Sequence, residues 1–118
     1  MDSLKFIKGI KESVIDSNFL IYQNIFKNTD KLKVTDDYWI KALAFFDSLN
    51  TEQKSALFNV IHQVQVDTVS NFLSVLDNIS VLPDQLEDFA LMLPNSTKPL
   101  NGDLQDIFLA NEELENNL

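Results

Sequence analysis

Cysteine and arginine are both missing from this chain, glycine occurs twice and proline three times. Without cysteine there are no disulfides, no thiolate nucleophile and no zinc–sulfur site, and a cytoplasmic compartment is the expectation. Without arginine, the planar fork that grips phosphates and carboxylates in two places is unavailable. Gly9 and Gly102 stand far apart, so no glycine-rich loop can cradle a nucleotide phosphate. Long apolar runs are also wanting. No stretch reaches the length of a membrane span, and MDSLKFIKGIKESVIDSNFLIY has neither the compact apolar segment nor the small-residue cleavage site of a signal peptide.

Positive charge is scarce in one half only. Residues 1–54 hold eight lysines and eight acids, whereas residues 55–118 hold Lys98 alone against ten acids, so the net charge of -9 belongs to the second half. Such a surface repels nucleic-acid phosphate and anionic lipid, and it steers a basic protein toward itself. An acidic surface also serves plain solubility. Hydrophobic residues make up 45% of the 118, nine of them phenylalanine, which is enough for the core of one domain.

Periodicity predicts an all-α fold: a compact antiparallel helical bundle of three main helices plus one or two short C-terminal helices. Residues 3–27 form the first, capped by Asp2 or Ser3, with Leu4, Ile7, Val14, Ile15, Phe19, Tyr22, Ile25 and Phe26 recurring at helical spacing. The polar run 28–37 ends at Thr35, Asp36 and Asp37, which suit a helix N-terminus. The second helix, 36–48, carries Tyr38, Trp39, Leu43, Phe45 and Phe46, a set that reads as core and becomes a ligand groove if Trp39 faces solvent.

The third helix is the most firmly marked. Asn50 and Gln53 resemble a capping box, and about seven turns follow to Asn78–Ser80. At about 100° per residue, Leu57, Ile61, Val64, Thr68, Phe72, Val75 and Ile79 share a stripe read as buried. Asn59, Gln63, Asp67, Ser70, Ser74 and Asp77 share the opposite face, read as wet. Pro83 then opens a fourth helix over 83–93 that offers Leu82, Leu86, Phe89, Ala90 and Leu93 to the core. Residues 95–102 are a loop, Asp103 caps a last helix over 104–110, and 111–118 form an acidic tail that frays or extends it.

Candidate chemistry is sparse. His62 and Asp67 lie about 140° apart around a helix, and Asp67 and Asp77 are separated by roughly 15 Å along it, so neither pair is an acid/base dyad. No local nucleophile arrangement includes Ser70 or Ser74, and no catalytic residue is assigned. Asp84, Glu87 and Asp88, and Asp103 with Asp106, are acidic first turns favoured by the helix dipole alone; no metal site and no cofactor is expected. His62 and Trp39 remain an acid/base or ligand edge if another helix brings an acid to it.

The expectation is therefore a small acidic protein-interaction domain whose second-half acids, Asp67, Asp77, Asp84, Glu87, Asp88, Asp103 and Asp106, meet a basic protein. One concrete form is an immunity protein or inhibitor covering the cationic site of a toxin. A homo-oligomeric structural protein and a small hydrolase or metal-dependent enzyme using His62 are the alternatives. Neither nucleic acid nor membrane is expected as a partner.

Overall fold

The N-terminal helical run changes its own pitch to keep one face inward. In the computed structural model, which describes residues 1–116, it comprises α1 (Ser3–Ile10), a π-helical segment (Lys11–Asp16) and α2 (Ser17–Asn28). The Asp2 carboxylate caps α1 by accepting the Lys5 N–H at 2.8 Å, which holds its carboxyl below the ordinary value of 3.8. Ile7, Lys11, Ile15 and Phe19 are spaced four apart, and on an α-helix each step drifts by about 40°. The Ser17 N–H instead donates to the Glu12 carbonyl five residues back, widening the turn, so that Ile7 and Ile15 are both fully buried.

A 3₁₀ turn (Lys31–Lys33) leads to α3 (Asp37–Asp47), whose cap is Asp36, its carboxylate accepting the Tyr38 N–H at 2.9 Å. The Asn50–Gln53 capping box forms reciprocally and starts α4 (Thr51–Leu76), about 39 Å long. A connection without helix or strand then runs to α5 (Leu104–Asn116). This is a helical bundle with no strand among the described residues, measuring 54 × 37 × 26 Å.

Side-chain pairings give the helix directions. Asp77 at the end of α4 meets the start of α5 and Phe19 meets His62, so α4 runs antiparallel to both the N-terminal run and α5. Two packed zones result. Ile7, Ile15, Val66, Leu73, Leu104 and Phe108 form one, and at the other end Phe26, Phe46 and Phe58 meet at ring separations of 5.0 to 6.2 Å with Trp39 on their edge. No described helix is long and apolar enough to cross a membrane.

Three expectations require correction. The fourth helix over 83–93 does not form. Asp84 adopts φ +65°, the left-handed region that interrupts a helix, and side chains from outside the segment take its backbone groups. Asn78 donates to the Phe89 carbonyl at 3.0 Å and accepts the Phe89 N–H at 2.8 Å; the Asn101 Oδ1 accepts the Leu91 N–H at 2.8 Å. Leu82, Leu86, Phe89, Ala90 and Leu93 accordingly stay exposed, and Leu91 is the residue that packs on the core. A segment of eleven residues is too short to hold a helix against such tertiary partners.

The second correction concerns α4, whose C-terminal half turns its polar edge inward. Ser70, Ser74 and Asp77 are buried, while Val64 and Phe72, placed on the buried stripe by periodicity, are 57% and 62% exposed. The burial is chemically satisfied. Gln105 Nε2 donates to the Ser70 carbonyl and hydroxyl at 3.1 Å, and the Ser74 and Ser80 hydroxyls bond each other at 2.7 Å. Before Ser70 the expected wet residues Asn59, Gln63 and Asp67 are exposed.

Third, the start of α5 is served by Asp77 rather than by the Asp103 side chain. The Asp77 carboxylate accepts from the Gly102 and Gln105 N–H groups at 2.6 and 2.7 Å, while Asp103 is exposed. The helix also runs past 110 to Asn116, because Glu112 and Glu115 pair with Lys11 of the π segment; residues 117–118 of the expected acidic tail lie outside the described residues.

Candidate functional site

The exposed edge of α4 and the connection after it are two candidate surfaces. Along α4, Val60, Val64, Thr68 and Phe72 recur four apart in solvent with no charged residue among them. Beyond the helix, Ile79, Val81, Leu82, Leu86, Phe89 and Met92 are exposed, Leu86 at 96%. Asp84, Glu87 and Asp88 alternate with these apolar side chains and are exposed too, so the structure joins the acidic cluster to an apolar one within a single connection. The chain is held in this shape by Asn78 and by Asn101, whose Nδ2 also donates to the Phe89 carbonyl at 2.9 Å.

The other acids divide. Asp67 is exposed, and its Oδ1 accepts from Gln63 at 2.9 Å. Asp103 and Asp106 are exposed at the start of α5. Asp77, in contrast, is only 8% exposed, and its oxygens accept from the Gly102 N–H before α5 and the Gln105 N–H in its first turn.

His62 packs edge-on against Phe19, with ring centroids 5.2 Å apart, on the rim of a depression of about 330 Å³. Asp67, Glu112 and Glu113 line the same depression, so α5 does bring acids to this edge. His62 nevertheless belongs to no ion pair among the described residues. Glu112 is 6% exposed, and its Oε1 lies 3.7 Å from the Lys11 ammonium. No group of three or more histidines and carboxylates suited to a metal ion occurs among the described residues.

Trp39 is half-buried, tilted against Tyr22 and edge-on to Phe26 at 6.1 Å each, and borders a cavity of about 200 Å³ with Ile25 and Leu43. The larger opening lies elsewhere. A groove of about 560 Å³ between α2, α3 and α4 is floored by Phe26, Phe46 and Phe58 and edged by Lys27 and Lys54. Nothing in the local pattern marks it beyond Phe19, Gln23 and Phe26 on one helix and Thr51, Ser55 and Phe58 on another, each set at helical spacing.

No protein-family model, curated protein or solved structure matches the chain.

Proposed function

We propose that this chain is a protein-interaction domain whose partner is basic and docks on the connection after α4 through apolar anchors set among acids. The observation that carries the reading is the exposure of Leu82, Leu86 and Phe89 between Asp84, Glu87 and Asp88 on a segment pinned by two asparagines. Long connections without secondary structure are uncommon in small domains and serve binding when they are well ordered. The accessible surface supports the same reading: it is 8536 Å², where a folded monomer of 13.5 kDa exposes about 6,500 Å². The excess exceeds the roughly 800 Å² that each partner contributes to a standard interface.

An inhibitor or immunity protein covering the cationic site of a toxin is the concrete form of this proposal, acting in the cytoplasm. Apolar anchors supply affinity and the acids supply steering and register. The test is affinity capture from the source organism at low and physiological salt, with the natural chain beside a Leu86→Ser/Phe89→Ser and a Glu87→Lys/Asp88→Lys variant. A basic protein retained by the natural chain and lost from both variants supports the reading. Identical retention by all three chains removes it.

The exposed apolar edge of α4 favours one second reading, self-association. Two chains can meet along Val60, Val64 and Phe72, with Asp67 on the flank of the seam. Sedimentation equilibrium at several concentrations decides this, and a strict monomer at the highest concentration counts against it.

A further inference from the structure

We propose that the groove between α2, α3 and α4 is a binding site for a small organic anion with an aromatic body. Its floor is an aromatic cluster, the Phe46 ring lying 5.0 Å from Phe26 and 5.5 Å from Phe58, with Phe19 and Phe26 the rings left partly exposed. Above adjacent rings of that floor stand two ammonium groups, Lys27 Nζ at 5.2 Å from the Phe58 centroid and Lys54 Nζ at 4.9 Å from that of Phe46. Each ring face holds its ammonium in place and leaves N–H donors for a ligand.

The electrostatics favour an anion here even though the chain as a whole is acidic. Neither Lys27 nor Lys54 is in an ion pair among the described residues, and the one carboxylate on the wall, Asp47, is taken by Lys31. Two like charges drawn over one floor repel each other, and an anion between them turns that repulsion into attraction. The acids of the second half act weakly at this distance, because salt screens exposed charges beyond about 8 Å in physiological solution. Thr51 and Ser55 add hydroxyl donors on the α4 wall. A groove of about 560 Å³ has the size of a small-molecule site, and its lining joins four phenylalanines to polar and charged side chains.

The occupant is a free arene carboxylate, with the ring against the partly exposed Phe19 and Phe26 and the carboxylate between the lysines. The test titrates the full chain with 1-naphthoate, 1-naphthamide and 1-naphthylmethylammonium, following backbone amides by ¹⁵N–¹H correlation spectra. Naphthoate is expected to give saturable shifts at residues 19–27 and 46–59, with the neutral amide binding at least about tenfold more weakly and the cation weaker still. A Lys27→Gln/Lys54→Gln variant is expected to lose about tenfold in naphthoate affinity and to bind the amide as before. Equal affinity for acid and amide overturns the proposal, as do shifts centred on Val64, Phe72 and Phe89 instead. Should the double variant lose its helical circular dichroism, the acid-to-amide ratio on the natural chain alone decides.

Discussion

Asp77 Oδ2 accepts the Gln105 N–H at 2.7 Å, joining the end of α4 to the start of α5 across 28 positions of sequence. The other oxygen takes the Gly102 N–H, so one buried carboxylate satisfies a first-turn amide that α5 itself leaves unpaired and a second on the chain entering the helix. Removing it strands both. Asp77→Ala is expected to lower stability by about 3 kcal/mol, measured by urea unfolding, and Asp77→Asn by roughly half of that, since one acceptor remains. An alanine variant within experimental error of the natural chain contradicts this role.

Lys11 and Glu112 test the π segment. Glu112 Oε1 is buried without a hydrogen bond and faces Lys11 at 3.7 Å, while Lys11 has a second, half-exposed carboxylate in Glu115. The two single substitutions should therefore be unequal. Lys11→Met leaves a buried charge unpaired and costs about 3 kcal/mol, whereas Glu112→Leu costs far less because Lys11 keeps Glu115. The double variant Lys11→Met/Glu112→Leu recovers to within about 1 kcal/mol of the natural chain; a double variant as unstable as Lys11→Met alone would show that the pair is not coupled.

Asn101 holds the connection rather than the bundle. Its side chain bonds the Leu91 N–H, the Phe89 carbonyl and the Leu76 carbonyl, all on backbone that no helix or strand satisfies. Asn101→Ala is expected to speed hydrogen exchange at Leu91 and Phe89 by at least about tenfold, with the amides of α4 between Val66 and Leu73 little changed. Uniformly faster exchange through α4 argues against a local role.

At the N-terminus the prediction concerns pH. The Lys5 N–H stabilises the charged form of Asp2 and lowers its folded value, so the cap's contribution is complete above the ordinary 3.8 and fades as pH falls through the lower folded value. The Asp2 carboxyl followed by NMR should titrate below 3.8, and the Lys5 amide shift should follow the same curve. A midpoint at or above 3.8 contradicts the capping geometry.

What could be read from sequence was local. The Asn50–Gln53 box and the length of α4 depend on residues within a turn of each other, and the cap at Asp2 is equally near its partner. The face of α4 was not legible in its second half, because periodicity sends polar residues to water by default. Ser70, Ser74 and Asp77 find Gln105, Ser80 and the α5 amides instead, and the nearest of those in α5 is 28 positions away. The segment after Pro83 failed for a related reason: Asn78 and Asn101 supply from outside the backbone bonds that a short helix would have made internally. The aromatic groove has no linear signature, since Lys27, Phe46 and Lys54 meet only once three helices have packed.

The inward polar edge of α4 is the fold's central departure from ordinary amphipathic patterning, and the absence of cysteine from the chain makes it directly measurable. Single variants Phe72→Cys and Ser74→Cys, kept dilute and treated with a thiol reagent, report which edge faces water. Labelling at position 72 near the rate of a free peptide, with position 74 at least about a hundredfold slower, is the predicted result. Rapid labelling at 74 with protection at 72 would restore the ordinary amphipathic helix and remove the apolar edge on which the self-association reading stands.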